Sequence, residues 1–190
     1  MSKYDEDTFF MLNRILLKCF DCKKKYEKII LNCSTKVMSK GVDIYGMFMP
    51  DNELSKYFVY NGKITENENN KDYVYYFNKQ NRLMLTERYV NKKTLQNLIF
   101  YDYYDNYIEI MWYCLKRNKI IKVGFIEYKQ GTLVRFVESL IITKDVKEIK
   151  SYQEYVFNDD VEYITNRFYS LEMFSDKEVF ETVSKIKKKY

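Results

Sequence analysis

The stretch YVYYFNKQNRLMLTERYVNKKTLQNLIFYDYYDNYIEIMWYCLKRNKIIKVGFIEYKQGTLVRFVESLII, residues 73–142, decides the fold of this chain. Apolar and aromatic segments alternate in it with polar turn clusters at residues 78–81, 91–94, 105–106, 116–119 and 129–131. The segments between are of strand length and rich in Tyr, Phe, Ile and Val, side chains that pack well on a pleated surface. Connections this short join antiparallel neighbours, because a parallel pair needs a long crossover. The stretch is therefore predicted as an up-and-down meander of six strands, not a series of βαβ units. Along residues 107–114 the alternation puts Ile108, Ile110, Trp112 and Cys114 on one face and Tyr107, Glu109, Met111 and Tyr113 on the other. The first face is the expected core face.

Outside the meander the periodicity changes. Over residues 4–26, Phe9, Leu12, Leu16 and Phe20 recur at helical spacing, with an acidic start (Asp5, Glu6, Asp7) and a basic end at residues 23–25. That charge order complements the helix dipole, so one N-terminal helix is predicted. Residues 28–64 read as short strands, including 29–31, with Asn61-Gly62 as a hairpin turn that folds residues 57–60 back onto 63–65. Residues 144–157 allow either a helix or a further strand. Ser175 and Glu178 make a capping box ahead of Val179, Val183 and Ile186, which predicts a C-terminal helix over residues 175–189. The fold class expected is α+β: a single domain, residues 1–190, with an antiparallel meander and a helix near each end.

Composition narrows the chemistry. A chain of 190 residues with 46% hydrophobic side chains has enough mass for a self-sufficient core. No apolar run approaches a membrane span and the first residues lack the basic-then-apolar design of a secretory signal, so no membrane association and a cytoplasmic location are expected. Histidine is absent, which rules out Ser-His-Asp or Cys-His catalysis and histidine metal ligation within this chain. Twenty tyrosines stand beside an absence of alanine and an abundance of Lys, Asn, Ile and Phe. Codon bias and strand preference both explain that enrichment. The net charge of +5 resides largely in the lysine runs at 23–25 and 185–189, both read as helix ends, so nucleic-acid binding is not indicated.

The reactive side chains that remain are sparse. Cys19-x-x-Cys22 with Cys33 needs one more nearby ligand for zinc and only Cys114 remains, and the pair lies where a helix is expected to close, so the cysteines read as reduced structural thiols. Glu87, Glu109, Glu127 and Glu138 fall inside predicted strands and would serve acid–base or metal chemistry if two shared a cleft. Arg82, Arg88, Lys122 and Arg135 lie in the same strands, and cross-strand ion pairs on a solvated face explain the set at lower cost. The isolated glycines form no phosphate-cradling loop. No cofactor and no metal are expected.

The strongest candidate surface is the aromatic hairpin around residues 100–113. Phe100, Tyr101, Tyr103, Tyr104, Tyr107, Trp112 and Tyr113 must occupy both faces of it, and Tyr and Trp are enriched in protein interfaces. Burial beneath a terminal helix is the alternative. With a helix, a Tyr-rich meander over residues 73–142 and a capped terminal helix over 175–189, the chain resembles the small immunity proteins encoded beside bacterial polymorphic or contact-dependent toxins. That resemblance implies a non-enzymatic interaction protein whose partner is a toxin domain. Nuclease inhibitors of this kind often present acidic surfaces, whereas this chain is net basic, so an acidic or non-nuclease partner fits better unless Asp102, Asp105 and Glu109 form an acidic patch. The other readings are a meander closed around a small apolar ligand, and a carboxylate-dependent enzyme.

Overall fold

The computed structural model describes residues 3–18, 21–41, 43, 62–139, 151–157, 163–170 and 180–185. Two helices open the chain, α1 (Lys3–Leu16) and α2 (Cys22–Asn32). Strands follow: β1 (Thr35–Lys40), β2 (Lys63–Ile64), β3 (Tyr73–Phe77), β4 (Leu83–Val90), β5 (Thr94–Tyr103), β6 (Tyr107–Cys114), β7 (Lys119–Lys129), β8 (Thr132–Ser139), β9 (Ser151–Phe157), β10 (Tyr163–Ser170) and β11 (Phe180–Lys185). Strands β3 to β8 are the six predicted from the central stretch. The β1–β3, β3–β4, β4–β5, β7–β8, β8–β9, β9–β10 and β10–β11 pairings are all antiparallel, so the class is α+β with an antiparallel meander.

The turns explain why the strands stop where they do. Between β3 and β4 the Asn78 Oδ1 accepts hydrogen bonds from the backbone of Gln80 and Arg82, both 3.0 Å, while Asn81 takes a left-handed φ of 58°. Between β4 and β5, Asn91 and Lys92 are both left-handed (φ 53° and 62°), the geometry whose twist matches a tight hairpin. Asparagine tolerates that conformation better than most residues, and it stands at three of these turns, at Asn81, Asn91 and Asn118.

The chain divides into two compact units. One comprises Met1–Cys19, Tyr103–Met111 and Ile120–Lys187, the other Phe20–Asp102, Trp112–Lys119 and Lys188–Tyr190. In the first, strand order runs β6-β7-β8-β9-β10-β11, and Leu12, Ile15, Ile110, Val123, Phe125, Phe136 and Tyr152 are buried. In the second it runs β2-β1-β3-β4-β5, and Val74, Tyr75, Leu83, Leu85 and Phe100 are buried. Each large apolar side chain so buried contributes roughly 1.5–3 kcal/mol.

Four expectations are corrected. The single N-terminal helix is two, because Asp21 is an N-cap: its Oδ1 accepts from the Lys24 backbone N–H at 3.0 Å and starts α2. The lysines at 23–25 therefore stand in a first turn, where the dipole disfavours them, and Lys25 is compensated by Asp102 at 2.6 and 2.5 Å. Ile29 to Leu31, expected as strand, lie inside α2. The predicted C-terminal helix is absent from the described residues: Phe180–Lys185 is a strand paired with β10 from Tyr163↔Lys185 to Phe168↔Phe180. Phe, Val and Thr in that segment favour an extended backbone, and the ladder with β10 outweighs the helical spacing read there. Ser175 and Glu178 lie outside the described residues, as do 57–60. Lys63–Ile64 pairs with β1 at Ser39 and Lys40. Residues 151–157, open between helix and strand, are β9.

Candidate functional site

In the first unit, α1 has two distinct sides. Leu12 and Ile15 are completely buried and Thr8 and Phe9 nearly so. On the other side Phe10 is 73% exposed and Leu17 69%, with Arg14 between them at i+4 from Phe10. The spacing that makes the helix amphipathic thus leaves two large apolar side chains outside the core.

Beneath Arg14 lies the feature that organises the surface. Glu109, in the middle of β6, has no exposed side-chain area. A carboxylate at that depth is tolerated only when it is paired. Arg14 Nη2 donates to its Oε1 at 2.6 Å, and Lys18 Nζ donates to its Oε2. The same cations hold two tyrosines: Arg14 Nη2 donates to the Tyr107 hydroxyl at 3.1 Å and Lys18 Nζ to the Tyr104 hydroxyl at 2.7 Å. The two rings stack with centroids 4.5 Å apart and planes 14° from parallel. Arg14 sits 5.7 Å from the Tyr107 centroid and Lys18 5.1 Å from that of Tyr104, within cation–π range. The Tyr107 hydrogen bond raises the Arg14 pKa against the opposing effect of burial. Burial works against the Lys18 charge too, but the hydrogen bonds to Glu109 and Tyr104 prevail and raise its pKa. Both cations are therefore fixed in place and charged, in a patch that also holds an exposed Tyr104 and the apolar pair Phe10 and Leu17.

The aromatic residues singled out from the sequence separate. Tyr104, Tyr107 and Glu109 come together in this patch, and Tyr103, half-buried, belongs to the same unit. Tyr101, Asp102, Trp112 and Tyr113 belong to the second unit, where Tyr101, Trp112 and Tyr113 are buried along with Phe100. Both faces of β6 are buried, not only the face of Ile108 and Ile110: Met111 is as deep as they are. Of the three acidic residues considered as a patch, Glu109 is buried and doubly paired, Asp102 binds Lys25, and Asp105 is exposed.

The remaining strand glutamates each have partners. Glu87 accepts from the hydroxyls of Tyr26 (2.6 Å) and Tyr89 (2.8 Å). Glu127 accepts from Arg135 Nε at 2.6 Å, its direct cross-strand neighbour, and Arg135 also reaches Glu154 at 3.0 Å and Thr8 at 3.2 Å. Glu138 pairs with Lys122, and burial raises its pKa despite that cation. Among the described residues no three acidic or cysteine side chains converge where a metal ion would sit. Cys22 opens α2 instead of closing a helix, yet burial, with Asp21 beside it, pushes its thiol up to about 11, the reverse of an activated nucleophile. Cys22, Cys33 and Cys114 are free thiols. Among the described residues no helix is long and apolar enough to cross a membrane.

Sequence reasoning missed Phe10, Arg14, Leu17 and Lys18. The available signal was Phe10 and Leu17 lying seven residues apart, off the Phe9–Leu12–Leu16 stripe, with a cation between them. No family model, curated protein or solved structure matches this chain.

Proposed function

We propose that this chain is a non-enzymatic protein-binding domain whose docking surface is the patch around Arg14, Lys18, Tyr104 and Tyr107, flanked by Phe10 and Leu17. Its action is to occupy a partner surface, in the manner of an immunity protein that neutralises a toxin domain. The observation that carries this reading is the exposure of Phe10 and Leu17, on and just past the end of a helix whose other side is fully packed. Burying each against a partner is worth roughly 1.5–3 kcal/mol, a gain unrealised in the isolated chain. Arginine and tyrosine are the residue types most often found at the energetic centre of protein interfaces, and both are immobilised here before binding, which reduces the entropy lost on association.

The test is co-expression with the polypeptide encoded by the adjacent reading frame, alone and with this chain. An immunity protein relieves a growth arrest caused by that polypeptide and co-purifies with it in fixed stoichiometry. The Phe10→Ser/Leu17→Ser variant keeps its circular dichroism spectrum and loses both effects. Protection that survives this variant would place the binding surface elsewhere, and a neighbour that neither arrests growth nor binds would remove the toxin reading.

A further inference from the structure

The patch has an unbalanced charge and an unused set of donors. Among the described residues two cations, Arg14 and Lys18, face one carboxylate, Glu109, which leaves one positive charge in excess, on a chain whose net charge is +5. All of the hydrogen bonds Arg14 makes to described residues, to Met11 Sδ, Tyr107 and Glu109, run through Nη2. Its Nε and Nη1 groups have no hydrogen-bond partner among the described residues, and the side chain is 41% exposed. A guanidinium anchored on one nitrogen, with further donors open to solvent, is suited to a second carboxylate, since Arg donates to carboxylates in a fixed planar geometry. Phe10, on α1, and Leu17, the residue just past its end, stand to either side of it along the chain.

Resting on the protein-binding reading above, we infer that the partner presents an acidic side chain, set among apolar residues, to the open donors of Arg14 between Phe10 and Leu17. Glu109 does not compete for those donors, because both of its oxygens are already engaged, by Arg14 Nη2 and by Lys18. The buried carboxylate orients the arginine, and the surplus charge recruits the acidic group. Complementarity of this kind selects an acidic partner and speeds encounter.

The first arm of the test needs no knowledge of the partner. The full-length, isotope-labelled chain is titrated by NMR with hexanoate, a carboxylate on an apolar tail, and separately with hexanol, hexylamine and inorganic phosphate. The Nε–H resonance of Arg14 and the methyl groups of Leu17 report binding. Expected is a saturable shift at both positions with hexanoate, about tenfold weaker or more with each of the other three. Arg14→Lys keeps a cation for Glu109 but removes the extra donors, and it weakens hexanoate by about tenfold while thermal unfolding stays within a few degrees of wild type. Equal binding of hexanol, equal binding of phosphate, an unaffected Arg14→Lys variant, or no shift at Arg14 would each overturn the inference. If a captured partner is held at full strength by Arg14→Lys but lost by Phe10→Ser/Leu17→Ser, this inference falls and the protein-binding reading stands. If hexanoate saturates Arg14 while the chain captures nothing, the protein-binding reading falls instead.

Discussion

The Glu109 network makes an asymmetric prediction about stability. Glu109 is completely buried, while its partners Arg14 and Lys18 keep 41% and 32% of their side-chain areas exposed. Removing the carboxylate leaves two cations that can turn toward water. Removing the cations strands a carboxylate in the interior with, among the described residues, one hydrogen bond remaining, from the Tyr104 hydroxyl at 3.3 Å. Breaking a buried pair so that the buried charge is left alone costs about 3–5 kcal/mol. Losing hydrogen bonds to cations that can re-solvate costs about 1–2 kcal/mol once exposure is discounted. Arg14→Gln/Lys18→Gln should therefore destabilise more than Glu109→Gln, by about 2 kcal/mol, and the triple variant should recover much of that difference. Urea unfolding followed by circular dichroism measures it, with the comparison made on midpoints at an unchanged slope. The reasoning fails if Glu109→Gln is as damaging as the double substitution, or if the three substitutions simply add.

Two glycines separate crowding from strain. A Cβ on Gly124 would lie 2.6 Å from the Val137 carbonyl oxygen, a backbone atom that cannot step aside, so Gly124→Ala should cost about 1–3 kcal/mol in a urea melt. Gly131 has open space around it but a φ of +79°, so Gly131→Ala costs only about 1 kcal/mol of backbone strain, and equal losses at the two sites would contradict this account. The alkaline limit should be set by buried phenols. Burial, reinforced by the Glu87 carboxylate, raises the pKa values of Tyr26, Tyr76 and Tyr89 well above the usual 10.0. The folded state thus holds protons that the unfolded state releases, and the stability they contribute is complete below about pH 10 and is lost as pH rises beyond it. Phenolate absorbance from these residues should appear together with loss of the circular dichroism signal. Their smooth ionisation near pH 10 with the fold intact would refute it.

What was legible in the sequence is what local chemistry dictates. Asparagine at the turns and aromatic, β-branched segments between them specify six antiparallel strands at residues 73–139, because turn conformation and strand preference act over a few residues. Helical periodicity near the N-terminus was legible for the same reason, and α1 keeps it. Two helix expectations gave way for different reasons: at residues 180–185 a strand forms in the ladder with β10, and after α1 a local N-cap at Asp21 starts a second helix. The candidate surface lay further out of reach. Glu109 looked like a solvated member of an alternating strand, and only packing against α1 buries it and draws Arg14 and Lys18, more than ninety residues away in sequence, onto its two oxygens. Strand alternation names two faces but not what covers each. For β6 the tertiary structure decides that both are covered, and it decides as well that Phe10 and Leu17 remain outside. Contacts between distant segments depend on register and on which helix side meets which sheet face, and neither is encoded in any single stretch of the chain.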